Sequence, residues 1–87
     1  MPTQTQNNPS VASLAASFMA MPAASGDYAA DNRQGHGHAD ALIEVMRDAE
    51  VPGLLGHVIK AVGASGRWSG VEIGFAHRLA EYALAGR

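Results

Sequence analysis

Residues 68–87 read Trp68-Ser69-Gly70-Val71-Glu72-Ile73-Gly74-Phe75-Ala76-His77-Arg78-Leu79-Ala80-Glu81-Tyr82-Ala83-Leu84-Ala85-Gly86-Arg87, and this stretch decides the fold class. Ser69 and Glu72 stand in the S-x-x-E spacing of a capping box. In that motif each side chain satisfies a backbone N–H that the helix leaves unpaired at its start. Trp68 precedes the cap and Ile73 is the fourth helical residue, the two positions of a hydrophobic staple. Val71, Phe75, Leu79 and Tyr82 then share one helical face, with Ala76, Ala80 and Ala83 beside it. Gly86 suits a terminator. Three local signals agree, and together they predict a helix over about 70–85.

Working back from that helix, Leu54, Leu55, Val58, Ile59 and Val62 make a broad apolar stripe. It predicts a helix over about 52–65, opened by Pro52 at its first position and followed by Gly66 in a left-handed conformation. Gly53, Gly56 and Gly63 each lower its intrinsic stability by roughly 1 kcal/mol relative to Ala. Such a helix must be held by packing. Its glycines reflect either loose selection or fraying, or, at Gly56 and Gly63, seven apart on one face, the close approach of a second helix backbone. Further back, Leu42, Val45, Met46 and Ala49 recur at i, i+3, i+4 and i+7. They predict a helix over about 40–50, capped by Asp40, with Glu44 and Arg47 paired across one turn. It ends near Glu50, because Val51 precedes Pro52 and is biased out of the helical region.

The remaining chain reads as an arm. Ala23 to His38 is Gly, Ser, Asp, Asn and Gln around Tyr28, the composition of a linker. Val11, Leu14, Phe18 and Met21 fall on one face of a short helix over about 10–21, with Ser10 as cap and Pro22 as stop. A helix so short either forms only transiently in a loose tail or docks on a partner or on the body of the domain. Met1 to Pro9 has no periodicity and is expected to be flexible. The expected architecture is therefore all-α: a three-helix domain over 39–87, preceded by a flexible arm over 1–38.

Composition narrows the function classes. Eighty-seven residues make one domain at most. From Asp40 onward the acids are Asp40, Glu44, Asp48, Glu50, Glu72 and Glu81, and the bases are Arg47, Lys60, Arg67, Arg78 and Arg87. The signs are interspersed, whereas a nucleic-acid, phosphate or anionic-membrane footprint clusters its Lys and Arg. Cysteine is absent, which excludes disulfides and thiolate zinc sites and fits a reducing compartment. No apolar run is long enough to span a bilayer. The first ten residues carry no Lys or Arg, so a cleaved signal is not expected and a cytoplasmic location is.

Few residues carry chemistry. His36, His38 and Asp40 form an H-x-H-x-D string, and imidazole with carboxylate can bind a divalent ion. The string lies in a Gly-flanked stretch with no second ligand cluster to fix its geometry, so no metal site is assigned. His57 and His77 fall on consecutive helices and could face each other, although a structural histidine is the commoner outcome. No Ser sits in a nucleophile elbow. Gly35 and Gly37 make no dinucleotide fingerprint, and Gly63, Gly66, Gly70 and Gly74 read as helix-end and turn glycines, without the Lys of a P-loop. No catalytic or cofactor residue is predicted, and enzymatic activity is not expected.

Two function classes remain. The turn from Gly66 to Trp68 between two helices resembles helix-turn-helix spacing, with the last helix as reader. Its expected outward residues would be Gly70, Glu72, Gly74, His77, Arg78 and Glu81, which include one Arg, two acids and no Asn, Gln or Lys for base edges. The preferred reading is a small interaction module, acting as a regulator, adaptor or inhibitor. A helical body of this size is marginal without disulfides, metals or association, so a protein partner or a homodimer is expected, with a monomer that lays the 10–21 helix across the three-helix body as the alternative. The candidate anchors are Trp68, Phe75, Leu79 and Tyr82, with Leu14 and Phe18 of the arm. Core is the more natural role for Phe75 and Leu79, and a shared surface for Trp68 and Tyr82.

Overall fold

The structure, a computed structural model, describes Phe18 and residues 20–86. Three helices account for most of them: α1 (Tyr28–Ala49), α2 (Leu54–Ser65) and α3 (Gly70–Ala85). The all-α, three-helix expectation holds, and α2 and α3 lie where the apolar periodicity places them.

The first helix is the correction. Residues 28–38, expected as linker, are the first half of α1, and its cap is Asp27 rather than Asp40. Asp27 has extended backbone, and its carboxylate accepts from the Ala30 amide at 3.2 Å. Asp31, one turn in, accepts from the Ser25 amide at 2.8 Å, the Ser25 hydroxyl at 2.7 Å and the Gly26 amide at 3.3 Å. The Ser25 hydroxyl and amide hold its carboxyl below the usual range, against burial pushing it up. A buried carboxylate in the first turn also opposes the positive end of the helix dipole. The composition of 28–38 is poor for a helix, so this cap and the packing against α3 supply what propensity lacks.

α1 ends at Glu50, which takes a left-handed conformation (φ 54°) and donates its amide to the Met46 carbonyl. Pro52 does not open α2, contrary to expectation; it sits in the turn, its carbonyl accepting from the Leu55 amide at 3.3 Å, and α2 begins at Leu54 behind Gly53. α2 ends at Gly66, whose φ of 72° is the left-handed conformation expected of it. α3 opens with the capping box: Ser69 accepts from the Val71 amide, and Glu72 accepts from the Ser69 amide at 2.8 Å and from the Ser69 hydroxyl.

The core is contributed by all three helices: Ala39 and Leu42 from α1, Leu54, Val58 and Val62 from α2, and Phe75 from α3. Val71 is buried as well. Phe18 and Met21 pack against this cluster from the segment preceding α1. The rest of the expected 10–21 helix, with Leu14, lies outside the described residues.

α1 and α3 run parallel. Tyr28 and Asp31 lie against Gly70, Asn32 against Gly74, Asp40 against Arg78 and Tyr82, and Arg47 over the Tyr82 ring. The pairs advance in the same direction along both helices, so α2 is the return crossing between them.

Candidate interaction surfaces

The α1–α3 seam is built on glycine. A Cβ on Gly35 would lie 2.6 Å from the Phe75 amide nitrogen and closer still to the Val71 carbonyl oxygen. One on Gly74 would lie 2.8 Å from Cα of Asn32, and one on Gly70 would meet Asp31 and Tyr28 at 3.1 Å. The two helices thus touch backbone to backbone, and Asn32 adds a hydrogen bond from its side-chain amide to the Gly70 carbonyl at 3.3 Å. Of the two readings of the α2 glycines, close approach is the one that fails: Gly56 and Gly63 are exposed with open space around them. Gly70 and Gly74, read from sequence as turn glycines, are the close-approach pair. Their small-x-x-x-small spacing was the signal, since residues four apart share a helix face.

Polar ties close the two ends of the seam. At one end Arg67 donates from Nη2 to Glu72 at 3.1 Å and to the Pro22 carbonyl at 3.3 Å. Burial pushes the Glu72 carboxyl up, but the Ser69 hydroxyl and amide, with Arg67, outweigh it and hold it below the usual range. At the other end Asp40 accepts from Arg78 Nε at 2.8 Å and from the Tyr82 hydroxyl at 2.7 Å. Arg78 also donates to Glu81 at 2.9 Å. The Arg78 guanidinium and then the Tyr82 hydroxyl hold Asp40 low, and the same Asp40 carboxylate pushes the Tyr82 phenol up. These carboxylates serve as hydrogen-bond acceptors between elements.

The histidines separate. On a helix, His36 and Asp40 are one turn apart and share a face, whereas His38 points elsewhere. His36 meets His77 edge-on, ring centroids 5.6 Å apart, with its Nε2 buried and unpaired. His38 reaches the Phe18 carbonyl at 3.1 Å and tilts against Phe75. His77 therefore faces His36 rather than His57. Among the described residues no group of three His, Cys, Asp or Glu could hold a metal ion.

The expected anchors divide into three groups. Phe75 is fully buried core, and Leu79 is half-buried against it. Phe18 packs on the same core with its ring edge to His38 at 5.4 Å, so it faces inward on this chain. Tyr82 is half-buried between Arg47 and Arg78, each within 5.8 Å of its ring centre, in a recess of about 280 Å³ shared with Ile43, Met46 and Pro52. Trp68 is 58 % exposed. Its expected staple partner Ile73 is 42 % exposed, so both side chains of the motif stay open to solvent rather than sealed on each other.

α3 carries a second apolar stripe, made of Ile73 (read from sequence as a staple residue), Ala76 and Ala80 (read as lying beside the core face) and Leu84, which the sequence reading left unassigned. Ile73, Ala76, Ala80 and Leu84 recur at i, i+3, i+7 and i+11 on the side away from the core, and all are exposed. Leu84 is 64 % exposed. A helix apolar on opposite sides is normally covered on both. Beside this stripe the outward side of α1 is charged, with Arg33, Asp40, Glu44 and Arg47. The helix-turn-helix reading loses its reader face in the same view, because Gly70, Glu72 and Gly74 are buried against the rest of the fold.

No helix of the described residues is long and apolar enough to cross a membrane. No protein-family model, curated protein or solved structure matches the chain.

Proposed function

We propose that this chain is a small, non-enzymatic protein–protein interaction module, a regulator, adaptor or inhibitor that docks through the outward side of α3. The observation that carries the reading is the double apolar character of α3. Val71, Phe75 and Leu79 are spent on the core, while Ile73, Ala76, Ala80 and Leu84 face water. Each large apolar side chain taken fully out of water contributes about 1.5–3 kcal/mol. A core this small leaves the fold much to gain from such cover. The ionisable side chains at the seam are tied to one another, which supports a structural role for them rather than proton transfer. A cytoplasmic location accords with the absence of cysteine.

The test is photo-crosslinking in cells producing the full chain, with the reactive side chain placed at Leu84 or, as control, at exposed Lys60 on α2. Adducts of discrete mass are expected at Leu84 and not at Lys60. Absence of any adduct at Leu84, Ile73 and Trp68 sinks the module reading.

A further inference from the structure

We infer that the chain's own residues 11–17 cover the strip of α1 beyond His38, with Leu14 level with Leu42 and Val11 level with Val45. The inference is independent of what the outward side of α3 binds.

The first argument is where the segment before α1 leads. Ser25 donates its amide and its hydroxyl to Asp31, at 2.8 Å and 2.7 Å. Seven residues back along the segment, the Phe18 carbonyl accepts from His38 Nε2 at 3.1 Å, and His38 is seven residues further along α1 than Asp31. Traced backwards, the segment therefore climbs α1 from its first turn toward its C-terminal half, antiparallel to it. Phe18 is itself helical. Two helices rise equally, about 1.5 Å per residue, so the same register carried past Phe18 reaches the levels of Leu42 and Val45.

The second argument is which face is turned inward. Val11, Leu14, Phe18 and Met21 share one helical face. Phe18 and Met21 present it to the core, so the same face continued to Leu14 and Val11 looks the same way. What it meets is the row that His38 begins on α1: Ala41, exposed, and Val45, half-buried at the edge of the core. No residue from 10 to 17 is charged, so the contact takes no charged side chain of the segment out of water.

The third argument is the tether. Leu14 is one helical turn from Phe18, which is already seated. Docking is then intramolecular, at an effective concentration on the order of millimolar, which a second copy or a foreign partner would have to exceed.

The chain has no cysteine, so engineered thiols report directly. In the full chain carrying Val11→Cys and Val45→Cys, a short bis-maleimide is expected to join the two thiols within one chain, at the monomer mass. With Val11→Cys and Ala80→Cys, the second thiol on the outward side of α3, no such link is expected. Leu14→Asp is expected to lower the urea midpoint, and Ala16→Asp, on the opposite face of the segment, to change it little. The inference is overturned if Val11→Cys and Val45→Cys fail to join, or join only between chains, which would hand the strip to a second copy. Equal midpoints in the two Asp variants, or efficient linking of Val11→Cys to Ala80→Cys, overturn it as well.

Discussion

α1 is attached to α3 in one way and α2 is attached to both in another. The α1–α3 seam is backbone on backbone, made by Gly35, Gly70 and Gly74 and pinned by hydrogen bonds from Asn32, Arg78 and Tyr82. α2 has no such approach. It is held by one apolar row, Leu54, Val58 and Val62, and turns Gly56 and Gly63 to solvent. The same residue type therefore has opposite consequences in the two places. At the seam glycine is a steric requirement. On α2 it only enlarges the unfolded ensemble.

The sharpest way to break that contrast is to add one methyl group at a time. Gly74→Ala or Gly35→Ala forces Cβ into backbone atoms that no rotamer change can clear. Overpacking of this kind costs about 3 kcal/mol, a large part of the stability of a domain this small. Urea denaturation followed by circular dichroism should show the loss. A change of under about 1 kcal/mol would mean that the helices separate cheaply, and the account of the seam would be wrong.

Acid should act next, and on the seam first. The folded carboxyls of Asp31, Asp40 and Glu72 are all held below their ordinary values of 3.8 for Asp and 4.5 for Glu. A depressed carboxyl contributes stability that is present above its unfolded value and is lost as pH falls through the folded one. The melting temperature should therefore be level near neutrality and fall once pH drops through about 4. Asp40→Asn removes one depressed carboxyl and should make that fall shallower. An unchanged acid slope in the variant would detach Asp40 from the effect. The Tyr82 phenol is shifted the opposite way, so its contribution is lost only on the alkaline side, above its ordinary value of 10.0.

The smallest effect is a gain. Gly37, Gly56 and Gly63 are helical, exposed and have open space where Cβ would go. Each change to Ala should add about 0.5–1 kcal/mol. Gly35→Ala and Gly37→Ala, two residues apart in one helix, should thus move the denaturation midpoint in opposite directions. Equal signs would erase the distinction between the two kinds of glycine.

α3 was legible in the sequence because its signals are local. The cap, the apolar face and the terminator all lie within the single stretch Ser69 to Gly86, and the structure keeps the box formed by Ser69 and Glu72. The first half of α1 was not legible, for the converse reason. Asn32, Gly35, His36, Gly37 and His38 are weak helix formers. What makes them helical is Asp31 gripping Ser25 and α3 lying against Gly35, contacts far away in sequence or invisible to periodicity. At the candidate surface, Ile73 was read as a staple residue and Ala76 and Ala80 as flanking the core face, so the exposed row they form with Leu84 was not seen as one row. Attention to Phe75 and Leu79 identified the core, while Ile73 and Leu84 were present at helical spacing on the other side.

The parallel course of α1 and α3 also constrains when the fold can form. The seam joins groups 38 to 42 residues apart, so it is not a hairpin between neighbours. Closing a loop of that length costs about 3 kcal/mol of chain entropy before any contact offsets it. Folding should accordingly be slower than in an up-and-down bundle of the same length, whose contacts are local. During synthesis the chain must hold α1 and α2 without their shared partner until α3 has been made. The first half of α1, poor in intrinsic helicity, then has nothing to lie against. Its exposure to proteases and chaperones ends only when Gly70 and Gly74 arrive.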